Sequence, residues 1–112
     1  MTQHEDLVRL HHMLDYALEA VAMVCGKGRD DLKRDRMLQL ALVRVVEIIG
    51  EAAARVSEEG QQHHPSIPWQ HARGMRNRLV HGYDKVDLDV LWDTLEYDLP
   101  PLIAELRRIL GE

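Results

Sequence analysis

The chain has 112 residues, 46% of them apolar and 29% charged, with a net charge of −5 and a single cysteine. This describes one globular domain over 1–112 with a modest core, which argues against disorder and against extensive, long-lived wrapping of nucleic acid. No run approaches the roughly 18 apolar residues of a membrane span. The opening MTQHEDLVRLHH lacks the apolar core of a signal peptide, and Cys25, read on an apolar face, excludes an internal disulfide and most metal clusters. The expected location is the cytoplasm.

In chain order, Thr2 and Glu5 have capping-box spacing. After them Leu7, Leu10, Leu14, Ala17, Leu18, Val21 and Cys25 recur at helical intervals. Gly26-Lys27-Gly28 predicts the stop, since glycine takes the left-handed conformation without steric cost. A second helix is expected from about Asp30 to Ser57, on Leu38, Ala41, Leu42, Val45, Ile48, Ile49, Ala52 and Val56. Leu40, Val43, Val46 and Ala53 widen its apolar stripe beyond what one neighbour covers, which suggests burial on two sides, as in a bundle that pairs with another copy. Gly50 sits mid-helix, at a cost of about 1 kcal/mol relative to alanine. Either it is a tolerated imperfection or another backbone approaches closely there.

Glu58 to Pro65 reads as a polar loop, followed by a third helix with Pro68 in its first turn, where a missing N–H does no harm. That helix should stop near His81-Gly82. Asp87 can cap a fourth helix holding Leu88, Leu91, Trp92 and Leu95. Pro100-Pro101 should break or kink it, because an interior proline lacks the donor and clashes with the preceding turn. A last helix follows over Leu102 to Leu110, with Asp98 as a candidate cap. No strand-like alternation or internal repeat is visible. The expected fold is an all-α bundle of four to five helices.

The chemistry concentrates in Met75-Arg76-Asn77-Arg78-Leu79-Val80-His81-Gly82-Tyr83. Between Trp69 and Lys85 four cations (Arg73, Arg76, Arg78, Lys85) face one carboxylate, Asp84, a local +3 on an acidic body. Cleaving RNA by internal transfer requires a base for the 2′-hydroxyl, an acid for the leaving 5′-oxygen and a cation for the pentavalent phosphate. Histidine moves protons near neutral pH. Arginine stays charged and grips two phosphate oxygens with a planar fork. On an ideal helix Arg76 and His81 stand about 140° apart, so a site using both needs a distorted helix end or a second chain about a two-fold axis. Asn77, four residues before His81, would share its face and could orient the imidazole.

Arg76-x4-His81, with polar Asn77 directly after the arginine, resembles the motif of the HEPN helical domains. Its extension to Tyr83 is similar to the HepT-like branch, as are the flanks VEIIGEAA at 46–53, SIPWQHARGMRN at 66–77 and YDKVDLDVLWDTLEYDLPPL at 83–102. The resemblance implies a toxin: a metal-independent endoribonuclease that dimerises through the bundle, with the motifs meeting at the interface. It also implies a cognate antitoxin of nucleotidyltransferase fold that transfers AMP to Tyr83. A phosphodiester there would put negative charge and bulk near Arg76, a local electrostatic switch. The expected roles are Arg76 on the phosphorane, His81 on the proton, Asn77 in support and Tyr83 as modification site, with neither metal nor other cofactor. A different class of reading is a non-catalytic module binding a nucleotide or a nucleotidyltransferase partner; a third is a purely structural helical dimer.

Elsewhere, Arg44, Glu47, Glu51 and Arg55 line one helix face, read first as salt-bridged surface and second as support for the motif arginines. His4, His11, His12, His63 and His64 complete no metal-ligand set. Trp69 and Trp92 read as core or interface anchors, since five aromatics are too few for a base-stacking platform.

Overall fold

The computed structural model describes residues 3–112; Thr2, half of the expected capping box, lies outside them. Helix α1 (Gln3–Met23) buries Leu10, Met13, Leu14, Ala17 and Ala20 along one face. It gives way to a turn where Gly26 takes φ +74°, as the glycine pair predicts. Because the helix ends at Met23, Cys25 lies in that turn and is exposed, not on an apolar face.

The long second helix is divided in two, α2 (Arg29–Arg34) and α3 (Arg36–Arg55). Asp35 makes the break: its backbone is extended and its carboxylate accepts from the Leu38 amide at 3.0 Å. Gln39, nearly buried, completes the joint by donating from Nε2 to the carbonyls of Leu32 (2.9 Å) and Lys33 (3.3 Å). Those carbonyls lie in the last turn of α2, where the helix itself offers only the Asp35 amide, to Leu32 at 3.3 Å. Apolar periodicity continues across the break, which is why the sequence shows none.

The expected loop at Glu58–Pro65 holds another short helix, α4 (Glu58–His63). Ser57 caps it by accepting from the Gly60 amide (3.0 Å), while its own N and Oγ donate to Asp6 at 2.9 and 2.5 Å. Burial works against the Asp6 carboxylate, yet the two Ser57 bonds outweigh it and hold the pKa below the ordinary value. Pro68 precedes α5 (Trp69–Leu79), and the Trp69 indole donates to the carbonyls of Gln61 (3.1 Å) and His64 (3.0 Å). Trp69 is thus a core anchor that also finishes α4.

Helix α5 stops before His81 because Val80 turns extended and starts a small hairpin, which the sequence did not disclose. Strand β1 (Val80–His81) pairs antiparallel with β2 (Lys85–Val86), Val80 opposite Val86 and His81 opposite Lys85. Gly82 takes φ +70° in the connecting loop, a conformation side chains resist. The Asp87 amide donates to the Leu79 carbonyl at 2.7 Å, closing the base of the hairpin.

From Leu88 the chain stays helical to Leu110, through α6 (Leu88–Asp93), a π turn at Thr94–Asp98 and α7 (Leu99–Leu110). As expected, Asp87 caps α6, accepting from the Val90 amide at 3.0 Å. Of the break or kink expected at Pro100-Pro101, no break occurs; the irregularity is the π turn just before them. The Leu99 amide reaches back five residues to Thr94, and this extra residue in the turn makes room for prolines in the first turn of α7. Asp98 does not cap; its carboxylate faces His71 Nε2 at 3.0 Å.

Helix α3 is the centre of the all-α bundle, packed between α1 and α5, with α7 on the far side of α1 and α6 against α2 and α5. Leu42, Val46, Ile49 and Ala53 are wholly inaccessible. The apolar surplus that suggested a partner is therefore smaller than expected. Val46 and Ala53 are consumed inside the monomer, and Leu40 (52% exposed) with Met37 (82%) remains at the N-terminal half of α3. At Gly50 an added Cβ would stand 3.0 Å from the Ala72 carbonyl oxygen. Close approach of α5 is the reason for this mid-helix glycine. Among the described residues no helix is long and apolar enough to cross a membrane.

Candidate active site

Arg76 stands in the last turn of α5, on the side that meets α3. Ala72, Met75 and Leu79 face the core and fix the helix's rotation; each fully buried large apolar side chain contributes about 1.5–3 kcal/mol. Arg76 Nε lies 3.5 Å from Glu47 Oε2, buried and without a properly directed hydrogen bond. Glu47 also accepts from Arg44 at 2.8 Å, and this bond holds the Arg44 guanidinium more firmly charged than usual. Arg44 stands 3.8 Å from Glu51 as well. Arg44, Glu47 and Glu51 of the polar stripe are thus salt-bridged, Arg55 is not, and Glu47 also stands against a motif arginine. Glu47 comes nearest to Arg76 at Nε, and among the described residues no other carboxylate stands within ion-pair distance of its two terminal nitrogens. Those nitrogens are the fork that grips phosphate oxygens.

Two grooves flank this arginine. In one, between α3 and α5, Arg76 is joined by Arg73 and Asn77 over Gly50 and Ala54. In the other, between α3 and the hairpin, Arg76 and Glu47 are joined by Leu40, Val80, Tyr83 and Val86. Tyr83 is 94% exposed, so its ring is not packed into the core.

His81 lines neither groove. Across the hairpin, Val80 and Val86 pack on the core while His81 and Lys85 are exposed, the two-residue alternation of a strand. The imidazole Nε2 is 3.6 Å from Asp87 Oδ2, beyond hydrogen-bond length but within ion-pair range if the ring is protonated. Asp87 thereby serves twice, one oxygen capping α6 and the other facing His81. The sequence showed the cap; the second role depended on the unseen hairpin. The helical face expected to join Asn77 to His81 does not exist, because the helix ends two residues short. Asn77 lies instead beside Arg76.

Arg78 leaves the site altogether. It points to the opposite side of α5, donating to the His71 carbonyl (3.2 Å) and facing His71 Nε2 at 3.0 Å. The local +3 is thus split between two faces, with Arg73 and Arg76 toward α3. Within one chain the fold gathers Arg76, Asn77 and Tyr83 about α3 and turns His81 elsewhere.

A family profile described as Ribonuclease HepT-like matches residues 13–109. A candidate RNase of Caldanaerobacter subterraneus is 34% identical over 101 residues, covering 90% of each chain. A candidate ribonuclease HepT of Thermococcus cleftensis is 38% identical over 80 residues, 71% of this chain and 73% of the other. A candidate RNase of Methanocaldococcus jannaschii is 28% identical over 103 residues, 92% of this chain and 85% of its own. No solved structure matches.

Proposed function

Because this chain belongs to the HepT-like ribonuclease family, we propose that it is the toxin of a toxin–antitoxin pair, a homodimeric, metal-independent endoribonuclease. Arg76 holds the scissile phosphate through its terminal nitrogens and stabilises the charge of the pentavalent state. Asn77 supports that grip from the same groove. His81 takes the proton from the 2′-hydroxyl, whose oxygen attacks the adjacent phosphorus. The 5′-oxygen leaves with a proton, yielding 2′,3′-cyclic phosphate and 5′-hydroxyl ends. Arg76 and His81 share no groove in one protomer, and this argues for a cleft shared by two. The exposed Leu40 and Met37 beside the hairpin suit a second copy there, which would bring both motifs around one RNA.

The observation that carries the regulatory half is Tyr83: fully offered to solvent, yet in the groove of Arg76. AMP transferred to its hydroxyl by a nucleotidyltransferase-fold antitoxin would set a phosphodiester where Arg76 could engage it in place of RNA. The test is cleavage of a mixed RNA pool by unmodified dimer in EDTA, beside His81→Ala. Cleavage by the parent alone, leaving cyclic phosphate ends, is the expected result. No cleavage by a dimer shown by mass spectrometry to be unmodified at Tyr83 would overturn it in favour of a nucleotide- or nucleotidyltransferase-binding module.

A further inference from the structure

A third groove lies on the other side of α3, against α1, lined by Arg9, His12, Ile48, Glu51, Ala52 and Arg55. Its electrostatics are unusual for an acidic chain. Among the described residues neither Arg9 nor Arg55 has a carboxylate within ion-pair distance, although 19 acidic side chains are available to 14 basic ones. Glu51, the acidic member, stands 3.8 Å from Arg44, on the side toward the motif. Arg9 Nε is buried and has no hydrogen-bond partner. A buried donor left unmade costs about 1–3 kcal/mol, so such a group implies a ligand or bridging water.

Position supplies the ligand class. This groove and the Arg73–Arg76–Asn77 groove meet at Glu51, with Ala52 lining the first and Gly50 and Ala54 the second. From Glu47, beside Arg76, to Arg55 is eight helical residues, or about 12 Å along α3. That is the reach of a short run of nucleotides. It runs toward the C-terminal half of the helix, away from exposed Leu40 and Met37.

We propose that Arg9 and Arg55 form a second phosphate-binding subsite, which holds the RNA backbone a few nucleotides from the linkage at Arg76. The assignment rests on the ribonuclease reading, but its test is separable. Full-length His81→Ala protein, which does not consume its substrate, is titrated with a labelled 12-nucleotide RNA and with a dinucleotide. Adding Arg9→Gln and Arg55→Gln together should weaken 12-mer binding about tenfold. It should also lower the salt dependence by about 0.7 in logarithmic slope for each phosphate no longer engaged, and leave the dinucleotide unaffected. Arg9→Lys with Arg55→Lys should recover most of the 12-mer affinity, which a packing role would not. In an active background the glutamine pair should raise KM for long RNA with kcat unchanged.

Equal loss for both RNAs, or no loss for either, overturns the subsite. So does a defect confined to binding an acidic protein partner. Loss of 12-mer binding in a protein that never cleaves RNA retains the subsite and removes the nuclease reading.

Discussion

Arg76 and His81 are five residues apart, yet different forces hold them. Arg76 belongs to α5, a helix whose inner face is sealed into the core by Ala72, Met75 and Leu79 and drawn against α3 at Gly50. His81 and Tyr83 belong to a hairpin of two residues per strand, steadied by Val80 against Val86, one bond from Asp87 to Leu79, and the helix cap at Asp87. So short a ladder contributes little by itself. The proposed phosphate grip thus stands on the most constrained part of the site. The groups proposed to meet a partner, a proton or a modifying enzyme stand on the least constrained.

The sharpest way to separate the two is to remove the grip without touching the scaffold. Arg76→Ala should lower RNA cleavage by about 10²- to 10³-fold, the usual loss for a group that stabilises transition-state charge. Its thermal midpoint should stay near the parent's, because the Arg76–Glu47 pair is half-exposed and Arg44 still neutralises that carboxylate. Arg76→Lys should recover little, since an ammonium cannot span two phosphate oxygens. Full cleavage by the alanine variant would remove Arg76 from the chemistry.

Breaking the scaffold under the grip should act on stability first. In Gly50→Leu the new Cβ meets the Ala72 carbonyl at 3.0 Å and the Arg73 carbonyl at 3.4 Å. These are backbone atoms that cannot swing aside, so α5 must shift. Urea unfolding should show a loss of about 1–3 kcal/mol, as for other overpacked sites. Cleavage should fall further than the folded fraction alone explains. A variant as stable as the parent would mean that the packing of α5 on α3 is not the constraint inferred.

The same contrast sets what the sequence could disclose. The bundle was legible because buried helices repeat apolar residues, whereas Gly50 left two readings open, of which the close approach is the one α5 makes. The Arg76-x4-His81-x-Tyr83 spacing marked the candidate site but not its shape. A hairpin of two residues per strand is too short for alternation to show, so Asn77 was aligned with His81 on a helix that ends at Leu79. Asp35 and Pro100-Pro101 misled in opposite directions. An aspartate inside apolar periodicity concealed a helix break, whereas two prolines announced a break that one π turn absorbs.

On the hairpin side the expected effects are smaller. Asp87→Ala removes the α6 cap, a loss of about 1 kcal/mol, together with the carboxylate facing His81. Asp87→Asn keeps a capping oxygen and should retain most of that stability. The His81–Asp87 pair is exposed and worth less than about 1 kcal/mol, so either variant should slow cleavage by no more than about fivefold. Urea titration beside initial rates separates the two roles. A hundredfold loss in the asparagine variant would mean that Asp87 takes part in the chemistry and does more than position the ring.

The smallest effect tests the far end of α5 and should leave the hairpin alone. Glu105 of α7 takes hydrogen bonds from Arg108 and from Ser66, shortly before α5 begins. Arg108 first and Ser66 second hold its pKa down from 4.5 to about 2. With the folded value depressed, the stabilisation is present above the ordinary value and is lost as pH falls through the folded one. The parent's thermal midpoint should therefore decline between about pH 4.5 and pH 2 more steeply than that of Glu105→Gln. Cleavage at neutral pH should be the same in both, because the tether lies at the opposite end of α5 from Arg76. Parallel melting curves across that acid range would show that this surface cluster fastens nothing, leaving Gly50 and the buried face of α5 to hold the grip alone.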